Sequence, residues 1–173
     1  MNSLPGRPYH VLFVDTKNAG PSIIAEALLD HWGRGRFKGF SAGSDPAGRL
    51  DDVSVTLLQQ FGLPTAHLRS KSWTEFDQPD APVMDFVFSV CDLGTDAAWP
   101  SWPGHPIAAA WSLPDPQTAI GSPAQQMLAH REVFQMIERR IQILASLRLG
   151  NHRRREVQIV IDDIGRAGTA EAA

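Results

Sequence analysis

Tyr9 to Trp32 reads YHVLFVD, then TKNAGP, then SIIAEALLDHW. Val11, Leu12, Phe13 and Val14 form a continuous apolar run, the mark of a strand covered on both faces. Past the turn, Ile24, Ala27, Leu28 and the His31–Trp32 pair recur at helical spacing. Ser22 is expected to cap that helix, with Pro21 just before it and Gly33 ending it. A strand feeding through a tight loop into a helix N-terminus makes a site for a phosphate-like anion, because free N–H groups and the helix dipole face the ligand. The loop Asp15, Thr16, Lys17, Asn18, Ala19, Gly20, Pro21 and Ser22 has the right length for such a cradle. Its chemistry opposes that use: Asp15 stands where the anion would rest, and no arginine follows.

Outward from this stretch the pattern repeats. KGFSA (38–42) reads as a second strand closed by Gly43, completing a right-handed parallel βαβ unit. Val53, Leu57, Leu58 and Phe61 give a second amphipathic helix, stopped by Gly62 and Pro64. SWTEFDQ (72–78) is a short helical piece in which Ser72 and Glu75 have capping-box spacing. FVFSVC (86–91) is a buried strand ending at Asp92, and 93–106 is irregular and rich in Pro and Trp. IAAAW (107–111) is a fourth strand, followed by a 112–122 loop that carries Asp115 between two prolines. Gln126 to Leu147 is a long helix striped by Val133, Ile137, Ile141 and Leu144.

In the tail, Val157, Val160, Ile161 and Ile164 keep helical spacing, while the run VQIVI favours a strand. The reading adopted is a helix closed by Gly165 with a frayed Ala-rich end; the Asp162–Asp163 pair falls at its solvated end. The expected fold is α/β, a three-layer α/β/α sandwich around a short four-stranded parallel sheet. Residues 1–149 form its domain and 150–173 a C-terminal extension. Ligands of such sheets bind beyond the carboxyl ends of the strands. Asp15, Asp92 and the Asp115 loop are expected there.

At 173 residues the chain can bury a real core, and its net charge of -3 gives no reason to expect nucleic acid or an anionic membrane. The single cysteine, Cys91, rules out an internal disulfide framework and fits a reducing compartment. No apolar run approaches the roughly 20 residues that span a bilayer. MNSLPGRPYH lacks a signal pattern, so the expected location is the cytoplasm. His31, His67, His105, His130 and His152 have no metal-ligand spacing, and no metal or cofactor is expected. His152 to Arg155 (HRRR) is a solvated helix end. Trp99, Trp102 and Trp111, with Pro100, Pro103, Pro106 and Pro114, are expected to rim the site, either as packing or as a docking surface.

The order of these signals resembles a known family. Strand–loop–helix, SAG (41–43), SKSW (70–73), VCD (90–92), WPG (102–104) and WSLPDP (111–116) are similar to the low-molecular-weight protein tyrosine phosphatases, and within that fold to the arsenate reductases. The resemblance runs from about Tyr9 to Leu149. It implies a phosphate loop that begins with a nucleophilic cysteine and ends in an anion-binding arginine followed by serine. Those positions fall on Asp15, Pro21 and Ser22. Asn18 matches an asparagine that holds the loop, and Asp115 matches the general acid. Of the redox cysteine pair of arsenate reductases, Cys91 matches the first and Trp99 stands at the second.

The resemblance therefore implies a degenerate phosphate loop in a protein from a family linked to the arsenic response. Asp15 reads three ways: as an internal stand-in for the anion that caps the first helix, as a ligand-binding carboxylate, or as a nucleophile of aspartyl-phosphate type. Lys17 either offsets Asp15, binds an anion itself or is a solvated loop residue. Cys91 is a small buried hydrophobe or an exposed thiol, and Asp115 a turn residue or a surviving acid. Two functions follow. One is a pseudoenzyme acting as a binding or regulatory module, with a protein partner or small ligand at 15–22, or as a homodimer. The other is an altered enzyme of the family using Asp15, Lys17 and Asp115.

Overall fold

A computed structural model describes residues 6–93 and 99–167. Four strands form one parallel sheet: β1 (Tyr9–Asp15), β2 (Phe37–Gly43), β3 (Phe86–Ser89) and β4 (Ile107–Ala110), in the spatial order β2-β1-β3-β4. The α-helices are α1 (Pro21–Trp32), α2 (Asp52–Gln60), α3 (Pro123–Ser146) and α4 (Arg154–Arg166). Short 3-10 turns lie at Trp73–Phe76, Pro116–Thr118 and Leu149–Asn151.

Alternation along the strands divides the core. Val11, Phe13, Phe86 and Phe88 share one cluster with Ile23, Ile24 and Leu28 of α1, Leu57 of α2, Val133 and Ile137 of α3, and Val157 and Ile161 of α4. Leu12, Val14, Ala42 and Val87 face the other way, against Trp73, Phe76, Met84 and Trp102. The α-helices thus cover one face of the sheet and the 3-10 turn Trp73–Phe76 with its neighbouring chain covers the other, so the four-stranded parallel sheet is the middle of three layers, as expected.

Several boundaries differ from the sequence reading. α1 begins at Pro21, not after it, and no side chain of its own caps it: the N-cap is Gly20 and Ser22 lies in the first turn. Phe61 lies just past α2, half-exposed, with its ring stacked on Phe134 at 4.4 Å. Ser72 caps the Trp73–Phe76 turn through the Thr74 N–H, but Glu75 does not complete a box. Its carboxylate is held by Arg69 instead (3.0 and 2.5 Å). α3 starts earlier than Gln126, because Ser122 and Gln125 form a capping box around Pro123.

The tail is helical over Arg154–Arg166, and Gly165 does not close it. Gly165 is buried within α4, and a Cβ there would meet Ala110 O at 2.6 Å and Trp111 Cδ1 at 2.7 Å. Its bareness lets α4 lie against β4. Asp162 and Asp163 are also within α4, hydrogen-bonded to Gln158 and Arg166. The frayed end expected at 168–173 and part of the irregular 93–106 stretch lie outside the described residues.

Trp102 and Trp111 are packing residues, not an exposed rim. Trp111 is 1% exposed and stacks on Phe88 at 4.4 Å, with its Nε1–H donating to Ile161 O (3.2 Å). Trp102 is buried in the second core cluster, and the partly exposed Trp99 leans on Trp73 at 6.0 Å. Trp supplies large apolar area, and here the cores on both faces of the sheet take it up.

Candidate functional site

Register brings the strand ends to one edge: Asp15 lies opposite Gly43, Val14 opposite Ser89, and Ser89 opposite Ala110. The connection from β1 turns towards β2 while β3 flanks its other side, so Asp15 and Cys91 lie at the switch point of the sheet. An open cleft there is lined by Asp15, Thr16, Pro21, Val90, Cys91 and Asp115, with Lys17, Gly20 and Gln117 among its other walls. Asp92 is not part of that lining.

Asp15 is only 5% exposed. The Asn18 N–H donates to Asp15 Oδ1 (2.6 Å) and the Ser22 N–H donates to Oδ2 (3.1 Å). These amides belong to the loop and to the first turn of α1, the groups that would otherwise face an anion. Burial pushes the Asp15 carboxyl up from its ordinary value; hydrogen bonds from the Ser22 hydroxyl and from the Asn18 and Ser22 amides oppose that, and Asp115 adds to it.

Asn18 sets the curl of the loop. It is fully buried with φ +45°, a left-handed conformation that Asn tolerates better than most residues. Its Nδ2–H donates to Ser22 Oγ (2.9 Å) and its Oδ1 accepts the Lys71 N–H (2.8 Å). Lys71 O then accepts the Gly43 N–H (2.9 Å). Gly43 has no room for a side chain, because a Cβ would stand 2.6 Å from Thr16 O. The SAG and SKSW segments thus form the seat on which the loop rests.

Behind that seat lies a buried ion pair that the sequence reading missed. Lys71 Nζ lies 3.5 Å from Glu26 Oε2 and 3.4 Å from Ser41 Oγ, and donates to Arg69 O (2.9 Å). Burial holds the Lys71 amine below its ordinary value despite Glu26. A glutamate at position 26, amid the apolar residues of α1, was the available signal.

Lys17 does not pair with Asp15; its ammonium is bound to the exposed Asp45. Asp115 is exposed, and its Oδ1 accepts the Gln117 N–H (2.9 Å), capping the Pro116–Thr118 turn. Cys91 is half-buried, with Thr16 Oγ1 at 3.9 Å from its sulfur. Burial pushes its thiol up, and the negative charges of Asp15 and Asp115 act in the same direction. Among the described residues, no group of three His, Cys, Asp or Glu side chains is arranged to hold a metal ion. No described helix is long and apolar enough to cross a membrane.

The sequence profile of the low molecular weight phosphotyrosine protein phosphatases matches residues 10–156. The chain belongs to that family. Its fold is similar to an arsenate reductase from Archaeoglobus fulgidus (TM-score 0.64, 26% identity, covering 79% of this chain and 99% of that one). It is also similar to an arsenate reductase solved in a phosphate-binding state (TM-score 0.66, 23% identity, 80% and 97% covered). A low molecular weight phosphotyrosine phosphatase from Vibrio cholerae shares the fold (TM-score 0.58, 20% identity, 79% and 93% covered). No curated protein sequence matches the chain.

Proposed function

We propose that this chain is a catalytically degenerate member of its family, a cytoplasmic binding or regulatory module whose anion loop is filled by its own Asp15. The observation that carries this reading is the pair of bonds from the Asn18 and Ser22 amides to the Asp15 carboxylate. Those donors are already satisfied, so an incoming oxyanion must displace a covalently tethered competitor.

The rest of the loop argues the same way. A carboxylate is a weaker nucleophile than the thiolate that the resemblance expects at this position, and when ionised it repels a dianion. Arginine would grip such a dianion bidentately, whereas Pro21 has neither a side-chain donor nor an N–H. Loss of one electrostatic contact of this kind costs about 3 kcal/mol in a transition state.

A second reading keeps the chain as an enzyme with an altered substrate. It draws on one observation, that Asp15, Lys17 and Asp115 line the same cleft. Hydrolysis of an aryl phosphate by the wild type, its Asp15→Ala variant and its Asp115→Ala variant separates the two. The module predicts equal background rates for all three. Turnover above background that disappears in Asp115→Ala would overturn it.

A further inference from the structure

His130 lies outside the cleft but is joined to the loop. It sits on α3 and is 3% exposed. Its Nδ1 is 2.7 Å from Gln126 O, and its Nε2 is 3.0 Å from Asp51 Oδ2. Both partners are oxygen acceptors. A neutral imidazole has one N–H and would turn a lone pair towards one of them; an imidazolium donates to both.

Asp51 connects three parts of the molecule. Its Oδ2 also accepts the Ser54 N–H (2.8 Å) and so caps α2. Its own N–H donates to Ala19 O in the 15–22 loop (2.9 Å). The other charged groups on the groove beside this pair are Asp52 from α2, Arg49 from the preceding connection and Lys17 from the loop. The Pro116–Thr118 turn contributes the uncharged Gln117. On α3 the next charged residue, Arg131, reaches Gln60 instead.

We propose that His130 and Asp51 form a proton-dependent latch that ties α3 and α2 to the 15–22 loop. The latch is closed when the imidazole carries both protons. When Nε2 loses its proton, Asp51 faces a lone pair, and its carboxylate shifts away from the ring and loosens its bond to the Ser54 N–H in the first turn of α2; loss of the Nδ1 proton instead leaves Asp51 in place. This holds whichever ligand the 15–22 loop takes.

The test is nitrogen NMR of the His130 ring together with amide hydrogen exchange at Ser54, followed across pH and corrected for the intrinsic pH dependence of exchange. Protection at Ser54 is expected to fall roughly tenfold, the scale of one lost buried hydrogen bond, in step with loss of the ring proton. Asp51→Asn keeps a good cap, and its amide N–H can donate to Nε2 of a neutral ring. In that variant the step at Ser54 is expected to vanish. Three results would each overturn the latch: a ring that changes protonation with no change at Ser54, a step that persists in Asp51→Asn, or a ring that keeps one protonation state from about pH 5 to about pH 9.

Discussion

Asp15 takes its meaning from where its chain neighbours place it. With its carboxyl pushed up chiefly by burial, the folded protein binds that proton more tightly than the unfolded chain does. The stabilising contribution of this group is therefore fully present below the ordinary value of 3.8 and is lost as pH rises through the folded value. Asp15→Asn removes the titration. Denaturant unfolding is expected to show the variant gaining on wild type as pH rises from about 4 to about 7; a constant difference would contradict the assignment. The same charge acts on Cys91, whose thiol is held up by burial and then by Asp15. Alkylation of Cys91 at neutral pH is expected to be slower than that of a free thiol and faster in Asp15→Asn than in wild type. Sequence brackets Asp15 well, because an apolar run precedes it and a helical stripe follows. It does not show which amides Asp15 accepts from, since that depends on the left-handed turn at Asn18. Nor does it pair Lys17 with Asp45, which lies just past β2 in the connection to α2.

Among the elements, strands and helices were legible from periodicity, and the errors sit where side chains cap or where backbones touch. The start of α3 is set by Ser122, Pro123 and Gln125, a pattern visible in the sequence but hidden behind an apolar stripe that begins later. Ser122→Ala is expected to lower stability by about 1 kcal/mol in chemical denaturation. Gly43 and Gly165 read as strand and helix terminators respectively, yet each marks a close approach. In Gly43→Ala the added methyl presses on the backbone of Thr16 and Asn18. The loop is expected to shift, and the protein to lose about 1 to 3 kcal/mol. Amide shifts of residues 15–22 identical to wild type would show that the seat does not set the loop. The β-branched tail run became a helix because Val157, Ile161 and Ile164 share a face that joins the core, while Ile159 and Val160 are left exposed; that burial overrides local strand preference.

For the molecule as a whole, the order of elements carries the fold, and the parallel sheet fixes the cleft. α4 is bound to the rest by more than apolar contact. Arg140, 1% exposed on α3, donates to Trp111 O (2.7 Å) and to Ala167 O (3.3 Å), tying β4 and the end of α4 together. Arg154 donates to His105 O (2.7 Å) and Gln158 to Ala108 O (2.9 Å). Removing 150–173 uncovers Trp111, which bonds Ile161 O and packs on Gly165, and takes the Ala167 carbonyl from Arg140, so thermal unfolding is expected to lose cooperativity or to begin well below that of the full chain. These long-range ties had no sequence signal, because each joins a side chain to a carbonyl whose position only the fold decides.

At the centre of the proposed function is the reading that Asp15 fills the anion loop of a low-molecular-weight phosphatase fold. Thermal unfolding of wild type and of Asp15→Cys/Pro21→Arg, each with and without phosphate and arsenate, tests it most directly. A ligand at about 100 times its Kd stabilises the native state by about 2.7 kcal/mol, which moves the midpoint by several degrees. Both oxyanions are expected to raise the midpoint of the double variant and to leave that of wild type unchanged. A midpoint raised by phosphate or arsenate in wild type would contradict that reading, showing that the loop still takes an oxyanion beside Asp15.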